Sequence, residues 1–164
     1  MGIGFNADEV LMMAERIERN GFAFYTGAAV RTGDDGLRDL LRQFAEMEKE
    51  HEAIFAGMRA QLSQAEKAET AFDPESEGVK YLESMADTRI FNVNVDPAAI
   101  LAGTETMEEV LRIAIGMEKD SVVFYQGIKE AVSEGLGRDR VNTVIKEEMW
   151  HIVVLGRELA KLAM

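Results

Sequence analysis

Two apolar stripes a hundred residues apart are broken at matching points by the same acidic and imidazole side chains. In the first, Leu11, Ala14, Glu18, Gly21, Tyr25 and Ala28 recur at alternating spacings of three and four. Leu37, Leu41, Phe44, Glu48, His51, Phe55, Met58 and Leu62 then follow the helical period in the same way. That period belongs to helices that turn one stripe toward their neighbours. The pattern returns, without a gap, as Leu111, Ala114, Glu118, Ser121, Tyr125, Ile128 and Val132, and then as Val141, Val144, Glu148, His151, Leu155 and Leu162. A repeat kept only for packing retains its apolar positions and lets charges drift. Here the charges on the apolar stripe recur, and the chain's only two histidines are among them.

The punctuation supports four long helices. Asn6 with Glu9 reads as a helix start, and the helix it opens runs to about Arg31. The stretch TGDDG at 32–36 is a turn, and a second helix follows over about 36–64. Thr106 with Glu109 is a capping box opening a third helix, to about Ser133. Gly135 and Gly137 mark the next turn, and a fourth helix continues to about Ala163. Helices joined by turns this short lie antiparallel. Glu18 and Glu48 are equidistant from Gly33 in the first turn, so they fall at one height, roughly 20 Å along the hairpin. Glu118 and Glu148 stand in the same relation about the second turn.

The expected architecture is all-α, a single domain over 1–164 in which hairpins 7–64 and 105–163 form an antiparallel four-helix bundle. A crossover at 65–104 connects them. Asp73-Pro74-Glu75 predicts a short helix over about 74–87, residues 89–97 read as extended, and Tyr81, Ile90 and Phe91 are expected to cover one edge of the bundle.

A net charge of −12 argues against nucleic acid, which needs a basic face. The apolar runs are too short for a membrane span, and the N-terminus lacks the basic start and apolar stretch of a secretory signal. Without Cys there is no disulfide, iron–sulfur cluster or thiol catalysis, and a reducing cytoplasm is the expected location.

On a helix, positions i and i+3 face one direction, so Glu48 with His51, and Glu148 with His151, each aim at one point. Four carboxylates buried together repel and lose hydration, at a cost of several kcal/mol each. Two cations relieve that cost. One Glu from each of two helices plus Glu-x-x-His from each of the other two is the ligand set of carboxylate two-metal bundles. Oxygen-rich donors with one imidazole per ion suit iron, or manganese, better than zinc. The expected ligands are Glu18, Glu48, His51, Glu118, Glu148 and His151, with Glu48 and Glu148 bridging. Tyr25 and Tyr125 are candidate catalytic residues where a hydroxyl could orient a carboxylate; the alternative is a core aromatic satisfied elsewhere. Trp150 is expected to pack outside the stripe, and Glu46, Glu50, Glu52 and Glu147 fall on other faces and read as solvated.

IERNGFAFY (17–25) and MEKDSVVFY (117–125), with EKEH (48–51) and EMWH (148–151), resemble the helix motifs of the rubrerythrin branch of the ferritin-like superfamily. The resemblance covers all four long helices. It implies two non-haem iron ions reacting with hydrogen peroxide or dioxygen, often in a homodimer. Rubrerythrins proper carry a C-terminal rubredoxin domain with four cysteines; this chain has none, so the expected electron donor is a separate protein. Peroxidase-type members also carry a Glu one turn after the third-helix ligand, where this chain has Ser121, and Gly21 at the repeat position. The expected function is an oxidoreductase reducing peroxide or dioxygen with Fe(II) or an external donor. The alternatives are an iron-handling, ferroxidase or storage protein, and a helical interaction module with a vestigial site.

Overall fold

The computed structural model describes residues 7–64, 67, 101–132 and 134–164. Four long helices account for most of them: α1 (Ala7–Ala29), α2 (Asp35–Ala60), α3 (Met107–Ala131) and α4 (Arg138–Leu162), with a 3-10 turn at Glu134–Leu136 before α4. The bundle is all-α. Its closest packing is within each hairpin, α1 on α2 and α3 on α4, and the hairpins meet through α1 on α3 and α2 on α4.

Local chemistry sets the helix ends. Asp34 caps α2 by accepting from the Leu37 amide at 2.7 Å. Thr106 and Glu109 form the capping box of α3: Thr106 Oγ1 accepts from the Glu109 amide at 3.2 Å, and the Thr106 amide donates to Glu109 Oε2 at 2.7 Å. Gly137 precedes α4 with φ 111°, a left-handed conformation that a side chain disfavours. The expected cap at Asn6, the short helix at 74–87, the extended stretch at 89–97 and the edge residues Tyr81, Ile90 and Phe91 lie outside the described residues.

The stripes are the core. Every stripe position from Leu11 to Leu155 is buried. Leu162 is the exception, 49 % exposed in the last turn of α4, although its repeat mate Leu62 is buried. The helix end there reaches past the packed layers, so the spacing rule outlasts the partner surface. The core divides into two apolar clusters. One joins the start of α1 to the ends of α2 and α3 and the start of α4, through Leu11, Phe55, Met58, Ile128 and Val144. The other gathers the opposite ends, with Ala28, Leu41, Phe44, Leu111 and Leu155. This grouping sets α1 antiparallel to α3 and α2 antiparallel to α4. The polar residues of the stripes lie between the two clusters.

Candidate metal centre

Packing apolar ends against each other forces the six interrupting residues into the middle. Glu18, Glu148 and His151 are fully shielded from solvent, and Glu48, His51 and Glu118 are nearly so. Ligand atoms of Glu18, Glu48, His51 and Glu148 all lie within 4.8 Å of one another, and the same holds for Glu48, Glu118, Glu148 and His151. Either group could hold a cation. Glu48 and Glu148 belong to both groups, the position a bridging carboxylate needs. Glu148 spans them directly: Oε1 is 3.0 Å from Nδ1 of His51 and Oε2 is 3.0 Å from Nδ1 of His151. His51 Nδ1 is also 3.4 Å from Glu18, and His151 Nδ1 is 3.2 Å from Glu118 and 3.4 Å from Glu48. Both imidazoles turn Nδ1 inward.

Five buried atoms here have no hydrogen bond: Glu18 Oε2, Glu48 Oε1, His51 Nδ1 and both carboxylate oxygens of Glu148. His51 Nδ1 is close to two carboxylates but not aligned with either. Orphaned buried polar atoms are rare and costly. Four such atoms are carboxyl oxygens and the fifth is an imidazole nitrogen, all aimed at one volume. That donor set fits a pair of cations.

The protonation pattern says the same. Burial, then the charges of Glu148, Glu118 and Glu18, push Glu48 well above the usual carboxylate range. Burial and the charge of Glu148 raise Glu118 to about 8, against the pull of His151. Burial alone would lower the histidines. The carboxylates of Glu148 and Glu18 overcome it and hold His51 up to about 11, and those of Glu118 and Glu148 hold His151 up to about 9. In the metal-free protein, protons stand where cations would.

Each tyrosine serves the opposite hairpin. Tyr25 Oη donates to Oε1 of Glu118, and Tyr125 Oη donates to Oε1 of Glu18. Each tyrosine lies on the stripe of its own helix seven residues after Glu18 or Glu118. Helical side chains lean toward their N-terminus, so each hydroxyl returns to the level of the centre and crosses to the antiparallel neighbour. Burial, followed by the charges of Glu118 and Glu48 for Tyr25 and of Glu18 and Glu148 for Tyr125, raises both phenols well above their ordinary value. They stay protonated and can only donate to these carboxylates.

Glu147 corrects the sequence reading. Expected only to be solvated, it stays partly exposed but brings Oε2 to 2.8 Å from Nε2 of His51. With Nδ1 turned inward, Nε2–H is the donor. The available signal was the mismatch at the repeat position, where Met47 stands opposite Glu147. Trp150 lies outside the stripe and half-exposed, yet its ring is 5.8 Å from that of His151. Glu52, also read as solvated, pairs with Arg19 at 2.5 Å. Among the described residues, no helix is long and apolar enough to cross a membrane.

A helical bundle with four buried glutamates and two histidines at this spacing defines the class of ferritin-like carboxylate proteins with a two-metal site. The rubrerythrin family model matches residues 9–159, and the chain belongs to that family. A crystal structure from Thermotoga maritima, described as a ferritin-like diiron-carboxylate protein, matches with a TM-score of 0.77 at 23 % identity, covering 96 % of this chain and 96 % of the other. At that identity the likeness is one of fold. No curated protein matches the chain.

Proposed function

We propose that Glu18, Glu48, His51, Glu118, Glu148 and His151 hold two metal ions, iron in preference to manganese, in an oxidoreductase centre that reduces peroxide or dioxygen. The observation that carries this reading is the set of five orphaned donor atoms converging between the two apolar clusters. Hard oxygen donors with one imidazole for each ion favour iron or manganese over zinc. When bound, two ferrous ions supply two electrons, which with two protons convert one hydrogen peroxide into two waters.

The protein's own part is positioning and exclusion. Glu48 and Glu148 link the two ligand groups, and Glu18 and Glu118 each serve one. Tyr25 and Tyr125 are positioning residues, since they touch carboxylates rather than the reacting atoms. The apolar clusters on either side keep bulk water out. Ser121 stands where peroxidase-type relatives carry a further glutamate, and its hydroxyl donates to the Met117 carbonyl of its own helix at 3.1 Å. That observation favours a second reading, a plain six-ligand ferroxidase with Fe(II) as substrate. Under either reading, reducing equivalents come from Fe(II) or from a separate donor protein. A homodimer and a cytoplasmic location complete the proposal.

The test is anaerobic loading with Fe(II), followed by rapid mixing with peroxide or with aerated buffer, read by absorbance. Oxidation within seconds, lost in His51→Ala and Glu148→Ala, is the expected result. A loaded protein inert to both oxidants ends the redox claim. Oxidation accompanied by assembly into a cage, seen by mass, would move the reading to storage.

A further inference from the structure

We propose that the two metal positions are inequivalent and that Glu147 sets the difference, by holding His51 so that the position it serves fills first. The inference rests on the two-metal reading above. It comes from a break in the two-fold pattern directly behind the two histidines. Both histidines turn Nδ1 toward the carboxylates, so both present Nε2 outward. Behind His51, Nε2–H donates to Glu147 Oε2 at 2.8 Å. Behind His151, Nε2 meets the sulfur of Met47 at 3.4 Å. Glu147 and Met47 occupy equivalent positions of the repeat, each reaching across from α4 to α2 or from α2 to α4.

The chemistry of the two partners differs in kind. A carboxylate behind a ligating imidazole fixes the tautomer and the ring plane and makes the inner nitrogen a stronger donor; losing such a partner typically weakens metal binding about 10- to 100-fold. A thioether is a weak acceptor and gives little of this. The rest of the surroundings follow the same division. Phe44 stacks on the His151 ring at 4.2 Å, and Trp150 packs against both rings. At the repeat position of Phe44 the chain has Val144, which offers no ring to stack. His151 therefore sits in an apolar, aromatic wall, and His51 is backed by a carboxylate that is 41 % exposed and so remains in touch with water.

Stepwise anaerobic addition of Co(II), followed by calorimetry and by visible absorption, tests the proposal. The wild type should bind two equivalents in separate steps. Glu147→Gln should weaken the first step about 10-fold or more and leave the second unmoved. Met47→Glu, which gives His151 the partner it lacks, should tighten the second step. A readout independent of affinity is the imidazole N–H proton, shifted by bound Co(II): one slowly exchanging resonance at the first equivalent, exchanging faster in Glu147→Gln. Two equal steps in the wild type overturn the proposal, and so do steps that Glu147→Gln shifts alike or not at all. Failure to bind Co(II) would remove the two-metal reading itself, and the proposal with it.

Discussion

The hydroxyl of Tyr25 on α1 donates to Glu118 on α3, 93 residues away in the other hairpin. Tyr125 returns the bond to Glu18 across 107 residues. The two hairpins are thus tied through the carboxylates that would hold metal, and each half of the centre depends on the other half for its orientation.

Replacing Tyr25 with Phe keeps the ring and removes only the donor. The loss should cost about 1 kcal/mol in the metal-free protein, because Glu118 Oε1 loses a buried donor and keeps only its bond with His151 Nδ1 at 3.2 Å. Tyr125→Phe should behave alike. A denaturant melt of each variant, of Glu118→Ala and of the double variant Tyr25→Phe with Glu118→Ala measures it. A Tyr25→Phe cost that does not shrink when Glu118 is also changed would mean the bond contributes through something other than this pair.

Gly21 gives Glu48 the space its carboxylate occupies. A methyl at residue 21 would overlap Glu48 Oε2 and lie 3.0 Å from its Cδ. The obstacle is the end of a flexible side chain, so Gly21→Ala should fold with near wild-type stability. Its displaced carboxylate should lower metal affinity at both positions, because Glu48 belongs to both ligand groups. Equilibrium dialysis against Co(II) distinguishes this from a purely structural role, in which stability would fall and affinity would hold.

The metal-free protein should lose stability as pH rises. Glu48 and Glu118 hold protons in the folded state that an unfolded glutamate, with an ordinary value of 4.5, releases. His51 and His151 likewise exceed their ordinary 6.5. The stabilising protons are all present below those ordinary values, and they leave as pH passes through about 8 for Glu118, about 9 for His151 and about 11 for His51. Metal must displace the same protons, so its affinity should instead climb with pH. Thermal melts of the metal-free and Co(II)-loaded forms between pH 5 and 9, as a rough working range, should diverge. Parallel curves would contradict the protonation pattern.

The four helices and the six buried residues were legible in the chain because helical spacing leaves no ambiguity about which side chains share a stripe. A glutamate or histidine in the middle of an apolar stripe is carried into the core with its apolar neighbours. Contacts made by long side chains across helices were not legible. Glu147 lies one residue off the stripe of α4, yet its reach brings it to His51 on α2. The tyrosines sit on the stripe, but the choice between the near glutamate and the far one depends on helix direction and side-chain lean. Leu162 shows the converse limit, since a stripe position is buried only while there is a partner beside it.

The central claim is that these six side chains form one centre for two ions, and metal stoichiometry tests it most directly. Metal-free protein equilibrated anaerobically with Fe(II), freed of excess and analysed for iron should retain two ions per chain. Glu148→Ala, which removes the carboxylate spanning both histidines, should retain fewer than one. Retention of no iron by the wild type, or of equal iron by the variant, would contradict the account.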